Sequence, residues 1–190
     1  MISLRLPSSP DWVTAVIADF DTFLLDHAAN ERKASSMAMT FVVRYPDRDA
    51  ILEPMIQLAR EELTHFHRVF KIMQTRGLHF KRDQKDHYMK QMIAQVQRGR
   101  EEEFLDRLLM AAVVEARGCE RFTTLSKALH DPELKHFYTE IAQSEDRHHA
   151  LFTDLAAIYF STEDIAQRLE FWVENDARIL GSLPVRPILH

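Results

Sequence analysis

The stretch IAQSEDRHHALFTDL, residues 141–155, places two ionisable residues in a row that is otherwise apolar. Ile141, Phe152 and Leu155 fall at the steps of three and four that mark the buried face of a helix. Glu145 and His148 occupy the steps between them. Ionisable residues on an inner face belong either to a buried ion pair or to a metal site. The stretch therefore predicts a helix with chemistry on its inner face.

Three other helical segments show the same interruption of an apolar row. Glu31 interrupts the first, Glu62 and His65 interrupt the second, and Glu115 interrupts the third. In chain order the pattern is Glu, Glu-x-x-His, Glu, Glu-x-x-His, and residues three apart share a helix face. Four carboxylates with two imidazoles form the ligand set of di-iron and di-manganese carboxylate proteins. The alternative is a helical bundle with buried ion pairs and no metal.

Apolar periodicity predicts four long helices, at residues 11–44, 48–76, 101–130 and 132–160. A short helix near residues 84–97 is expected in the middle connection, and a fifth long helix at about 162–180. Asp131 with Pro132, and Ser161 with Asp164, have the spacing of helix starts. Pro54 either kinks the second helix or marks its true start.

These segments predict the architecture of the whole chain. Four long helices with a long middle crossover are typical of an all-α, ferritin-like four-helix bundle, here with an extra C-terminal helix. We expect one domain over residues 1–190, with the core bundle at about 10–160 and the C-terminal helix and tail at 161–190.

Composition narrows the kinds of site and compartment. Cys119 is the only cysteine, which excludes an internal disulfide and a cysteine-based zinc cluster. The longest apolar run, Leu108 to Val114, is too short to span a membrane. The first residues lack the features of a signal peptide, so a cytoplasmic location is expected.

The positive charge is concentrated in the middle of the chain. Residues 68–100 contain nine Lys or Arg and two Asp, a balance of +7 within a chain of net charge −5. The rest of the chain therefore carries −12. The segment is either a solvated face or a basic patch for a polyanion.

Several neighbours of the six candidate ligands have less certain roles. His27, one turn before Glu31, is either a hydrogen-bonding partner of a ligand or a core histidine. Asp146 and His149 fall nearer the edge of their helix, where a partner of a ligand or a surface role is expected. Cys119 is expected to pack rather than react. Four phenylalanines are expected chiefly in the core: Phe20, Phe23, Phe66 and Phe122.

Four segments carry a resemblance to a known family: NERKASSMA, LAREELTHFHRVF, AAVVEARGCERF and SEDRHHALFTDLA. Over roughly residues 10–160 they resemble the tRNA 2-methylthio-isopentenyladenosine hydroxylases, bacterial non-haem di-iron monooxygenases. The resemblance implies hydroxylation of the isopentenyl group of the modified adenosine beside the anticodon. It also implies a cytoplasmic enzyme with two iron ions, O2 as co-substrate, and an external reductase or ferredoxin-like electron donor.

The resemblance assigns the ligand role to six residues: Glu31, Glu62, His65, Glu115, Glu145 and His148. No catalytic side chain beyond the metal centre is expected, because the metals carry the difficult chemistry. Lys81, Arg82 and Lys85 are expected to contact tRNA. The main rival is a ferritin-like iron-oxidising or iron-storage protein, and a third interpretation is a metal-free helical interaction module.

Overall fold

A computed structural model describes residues 2–80 and 82–190 of the chain. Within these residues it contains helices and no strand, which confirms the predicted all-α class. The helices are α1 (Pro10–Ala18), α2 (Phe20–Arg44), α3 (Asp49–Thr75), α4 (His87–Ile93), α5 (Arg100–Ala128), α6 (Pro132–Tyr159) and α7 (Thr162–Ser182).

The first predicted helix, residues 11–44, is wrong in one respect, because it is two helices. Asp19 separates α1 from α2 with backbone angles of φ −136° and ψ 64°, and its side chain accepts a hydrogen bond from the Thr22 backbone N–H. An aspartate that caps a new helix in this way stabilises a break. Ile17, which lies just before this break, is 48% exposed and is not part of the core.

The boundaries of the other long helices follow the predicted signals closely, whereas the short middle helix spans His87–Ile93 rather than residues 84–97. The Asp131 side chain accepts hydrogen bonds from the backbone N–H groups of Glu133 and Leu134, with Pro132 at the first helical position. The Ser161 hydroxyl likewise accepts from the Asp164 N–H. Pro54 does not mark the start of α3, which begins at Asp49, so the proline lies inside the helix.

One compact unit contains residues 14–80, 82–85 and 186–189. Within it α2 and α3 pack side by side in opposite directions, since Asp21 pairs with Arg76 and the Ser35 hydroxyl donates to the Ala59 carbonyl. The chain reverses at residues 45–48. Buried apolar residues from both helices form its core: Phe23, Leu24, Phe41, Ile51, Met55 and Val69.

A second unit contains residues 2–13, 86–185 and 190. Here α5 and α6 run antiparallel, because Phe104 packs against Tyr159 and Phe122 against Tyr138. Helix α7 packs on α5 and α4. Asp106 ties α7 to α5 by accepting hydrogen bonds from Arg168 and from the Trp172 indole N–H.

A helix that crosses a membrane must be long and apolar. None of the helices in the described part of the chain has the length and apolar character needed to cross one.

Candidate metal centre

The α2–α3 unit gathers three of the predicted ligands into one buried group, here called the α2–α3 half-site. Glu31, Glu62 and His65 are each at most 5% exposed. Each offers one ligand atom within 4.8 Å of the others. The His65 Nδ1 atom lies 3.6 Å from Glu31 Oε2 and 3.5 Å from Glu62 Oε2. The three-residue spacing of Glu62 and His65 thus places both side chains toward Glu31 of the neighbouring helix.

His27 supports this half-site from one turn earlier on α2. Its ring is fully buried, and Nε2–H donates to Glu31 Oε1 across 2.6 Å. The ring also packs against Phe23 at 5.9 Å between centroids. Because a hydrogen bond and an aromatic contact both orient the pair, Glu31 keeps its other oxygen on the side of His65.

The pKa values in this half-site show unbalanced negative charge. Burial alone would lower the pKa of His65, but hydrogen bonds and charge interactions with Glu31 and Glu62 raise it to about 9. Burial likewise acts to raise the pKa of Glu31, and hydrogen bonds from His27 and His65 hold it below its usual range instead. Glu31 and Glu62 are two buried carboxylates beside His65, and His27 donates to one of them. A histidine that binds a metal is neutral and cannot offset their charge, so the half-site favours a bound cation.

The α5–α6 unit contains the matching group, here called the α5–α6 half-site. Glu115, Glu145 and His148 are at most 8% exposed, and each offers one ligand atom within 4.8 Å of the others. His148 Nδ1 lies 3.3 Å from Glu145 Oε2 and 4.0 Å from Glu115 Oε2. Both half-sites therefore contain two carboxylates that face the Nδ1 atom of one histidine.

Ser144 is a residue that the sequence interpretation missed. Its hydroxyl lies 3.4 Å from His148 Nε2, on the side of the ring away from Glu145. A histidine that donates its Nε2 proton there presents the Nδ1 lone pair to the carboxylates, which is the tautomer that a metal bound at Nδ1 requires. The four-residue spacing of Ser144 and His148 was the available signal.

The donor set of each half-site fits a divalent transition metal. Carboxylate oxygens and an imidazole nitrogen suit iron, manganese or zinc, and the described donors include no thiolate. Burial of all six side chains limits competition from water at the ligand atoms. Within each half-site the described residues therefore meet the chemical requirements of a metal ligand group.

The remaining predicted residues lie in varied environments. His149 is buried at 4% exposure rather than near the edge of its helix, and its Nε2–H donates to Asp146 across 3.1 Å. The Asp146 side chain is 47% exposed.

Cys119 is half-buried, and burial raises the pKa of its thiol. Arg82 and Lys85 are exposed, while Lys81 lies outside the described residues.

Comparison with known proteins gives a consistent result. The model of the family described as tRNA-(MS[2]IO[6]A)-hydroxylase (MiaE) matches residues 2–190. A Pseudomonas putida protein named tRNA 2-(methylsulfanyl)-N(6)-isopentenyladenosine(37) hydroxylase is 35% identical over 167 residues, which cover 88% of this chain and 81% of the relative. A Salmonella typhimurium protein of the same name is 34% identical over 132 residues, covering 70% of this chain and 48% of the relative.

A solved structure shares the fold. It is described as protein 43 with aldehyde deformylating oxygenase activity, from Synechococcus, and it is 32% identical with a TM-score of 0.94 over 98% of this chain and 94% of its own. This likeness confirms the predicted ferritin-like class of fold. The family match spans nearly the whole sequence and includes both half-sites, in agreement with the resemblance in the four motif segments. The chain therefore belongs to the tRNA-(MS[2]IO[6]A)-hydroxylase (MiaE) family.

Proposed function

We propose that the chain is a tRNA hydroxylase that acts on the isopentenyl group of 2-methylthio-isopentenyladenosine beside the anticodon. The observation that carries this proposal is the family match over residues 2–190 in a chain whose buried ionisable residues form two matching ligand groups. The names of two relatives, at 35% and 34% identity, supply the substrate. The exposed cations Arg82 and Lys85 suit a polyanionic substrate.

The proposal assigns two iron ions to the six buried residues. Glu31, Glu62 and His65 would supply three of the ligands, and the α5–α6 half-site would supply the other three. Bound iron would supply O2 activation, so that one oxygen atom enters a C–H bond and the other leaves as water with two electrons and two protons from an external donor. The oxygenase activity with which the structural neighbour is described supports this use of O2.

The protein side chains have three tasks in this scheme. The four glutamates neutralise the positive charge of the ions, and the two histidines complete the ligand set through Nδ1. His27 and Ser144 hold Glu31 and His148 in orientation by hydrogen bonds. Burial of the ligands keeps water away from a reactive centre, which favours C–H oxidation over side reactions. A reductase or ferredoxin-like protein would supply the electrons, and the cytoplasm is the compartment in which the tRNA is available.

The structural neighbour favours a second candidate, deformylation of an aldehyde, because its fold matches over 98% of this chain and it is described with that activity. Two family relatives named for a tRNA substrate weigh against it. No comparison favours the iron-storage alternative over a tRNA hydroxylase.

The test is hydroxylation by the purified, iron-reconstituted protein. It is supplied with a chemical or enzymatic reductant, 18O2 and tRNA that carries 2-methylthio-isopentenyladenosine, and the digested nucleosides are analysed by mass spectrometry. We expect about two iron ions per chain and a nucleoside heavier by one 18O atom, with no product from metal-free protein. Parallel reactions contain a long-chain aldehyde. An iron-loaded protein that converts the aldehyde and leaves the tRNA nucleoside unchanged would contradict the proposal.

A further inference from the structure

Three phenylalanines form a stacked group at the end of α3 and in the loop that follows it. Phe66, Phe70 and Phe80, here called the aromatic cluster, have ring centroids 5.7–6.1 Å apart and interplanar angles of 8–29°. Phe80 is 40% exposed, and the other two rings are half-buried. The sequence placed Phe66 chiefly in the core, so the partial exposure of all three rings is a property that only the structure reveals.

The aromatic cluster begins beside the α2–α3 half-site. Phe66 follows the ligand His65 directly and lies one helical turn after Glu62, and Phe70 lies one turn further. Glu62, Phe66 and Phe70 therefore share one face of α3 at four-residue steps. The face leads from a buried carboxylate of the half-site to the partly exposed ring of Phe80.

The surroundings of the aromatic cluster are cationic. Residues 66–85 contain six Lys or Arg and a single acid, Asp83. That acid already accepts two hydrogen bonds from Arg32 Nη2, at 2.8 and 2.9 Å, and lies 3.8 Å from Lys33 Nζ. Lys71, Arg82 and Lys85 are exposed. A flat aromatic surface within a positive field is complementary to an unpaired base and its phosphates, and it does not suit a basic protein partner.

We propose that the aromatic cluster is a stacking platform for an unpaired base of the tRNA loop, with Phe80 as the ring that contacts the base. The proposal rests on the proposed function, since it takes tRNA as the substrate. Proteins recognise single-stranded RNA loops by stacking splayed bases on aromatic side chains, with nearby cations on the backbone. A base stacked on Phe80 would hold the loop next to the column of side chains that leads to Glu62. The platform thus positions the target nucleoside and has no catalytic role.

The first test is the fluorescence of a Phe80→Trp variant. The native Trp12 and Trp172 are only 3% and 0% exposed, whereas position 80 is 40% exposed. A ligand at the surface should therefore act mainly on the emission of the new indole. A stem-loop RNA with the sequence of the anticodon arm should quench its emission by stacking. Heparin, a polyanion without bases, should bind through charge and leave the emission nearly unchanged. An RNA that binds without quenching, as shown by a gel shift, would overturn the platform.

The second test separates stacking from simple anchoring of the loop. Phe80→Leu keeps an apolar side chain on Phe66 and Phe70 but removes the aromatic face. We expect the Kd for the stem-loop to rise about tenfold in Phe80→Leu and to stay within about twofold in Phe80→Trp. Leu63→Ala is the matched control, because Leu63 is an apolar residue of α3 that is 54% exposed. Unchanged iron content and melting temperature would show that each variant is folded.

The outcomes distinguish this inference from the proposed function. If the wild-type protein hydroxylates tRNA while Phe80→Leu binds the stem-loop as tightly as the wild type, the platform is wrong and the function stands. If the iron-loaded wild type neither binds nor hydroxylates tRNA, the proposed function is wrong and the platform with it. A tenfold loss in Phe80→Leu, with quenching in Phe80→Trp, supports both.

Discussion

The two adjacent histidines of α6 differ in what their rings face. His148 directs Nδ1 toward Glu145 and Glu115, at 3.3 and 4.0 Å, whereas His149 donates to Asp146 on its own helix. Neighbouring residues on a helix point about 100° apart, so only one of the two can lie in the row of Glu145. Both are buried, at 3% and 4% exposure, and burial alone therefore does not identify the ligand.

Substitution of each histidine should separate their roles. We expect His148→Ala to bind about one iron ion per chain or fewer, because it removes the only nitrogen donor that we assign to its half-site. His149→Ala should retain about two ions, since its ring bonds only to Asp146 among the contacts of the described residues. Iron analysis after reconstitution measures both, and thermal melting checks that each protein is folded. Equal iron content in the two variants would show that the ligand assignment is wrong.

The individual ligands could be predicted because each one breaks an apolar row. A buried glutamate is costly without a partner, so six ionisable residues at inward steps already indicated a site. Ser144 was harder to predict, because a serine on a helix is usually unremarkable and its role appears only when His148 Nε2 lies 3.4 Å away. Phe80 was not predictable as a neighbour of Phe66, since a loop of unknown course separates the two residues.

At the scale of helices, apolar periodicity predicted where most of the long helices lie and approximately where they end. Where a helix departs from that prediction, the cause is a hydrogen bond of a local side chain. The apolar spacing of α1 and α2 continues through Asp19, yet the Asp19 side chain caps a new helix there. Contacts between helices that are distant in the chain could not be predicted from the sequence either. Arg117 of α5 donates to Asp176 of α7 across 2.5 and 3.3 Å, and Asp176 also accepts from Tyr88 of α4 at 2.8 Å.

The buried ion pair between Arg117 and Asp176 should be a main determinant of how α7 is held. Both side chains have no exposed surface. Asp176→Ala leaves the guanidinium with Glu120 and the Leu6 carbonyl as partners, and we expect a loss of about 3 kcal/mol in the free energy of unfolding. Urea denaturation measures the loss. The control is Glu170→Ala, which breaks the exposed pair with Arg5 and should leave the free energy of unfolding nearly unchanged. Similar losses in both variants would contradict this prediction.

The contact of His190 with α4 predicts a pH dependence of stability. Its ring stacks on Tyr88 at 4.8 Å, neither ring nitrogen has a hydrogen-bond partner among the described residues, and both nitrogens are shielded from solvent. Burial lowers the pKa of His190 to about 4, against an opposing effect of Asp86 and with further lowering by Arg121. The unfolded chain therefore binds the proton more readily. This contribution to stability is complete above about pH 6.5 and is lost as the pH falls toward 4.

A variant can isolate this effect from other acid-sensitive groups. His190→Phe keeps a ring on Tyr88 and cannot be protonated. The groups Asp86, Asp176, Arg117 and Arg121 are unchanged in it, so their titration cancels in the comparison. Between pH 7 and pH 5 we expect the wild type to lose about 1 to 2 kcal/mol more than the variant in urea unfolding. Parallel pH profiles for the two proteins would show that His190 is not the titrating group.

At the scale of the whole molecule, the sequence shows an uneven distribution of charge that the net value conceals. The chain is acidic at −5, while residues 68–100 carry +7. Composition gives the excess of positive charge in this segment but not its role. A solvated surface and a binding site for a polyanion can have the same composition. The structure adds that the acid Asp83 is paired with Arg32 and that Arg82 and Lys85 are exposed. These contacts favour an RNA-facing role for the segment.

The salt dependence of tRNA binding tests that role. Each cation that contacts a phosphate contributes about 0.7 to 0.9 to the slope of log Kobs against log salt concentration, because it releases condensed counterions. The double variant Arg82→Gln, Lys85→Gln should therefore flatten the slope by about 1.5 and weaken binding at low salt. Lys127→Gln, Lys135→Gln removes the same charge from exposed positions of α5 and α6, and should leave the slope unchanged. Equal flattening in both double variants would mean that net charge, rather than this segment, governs binding.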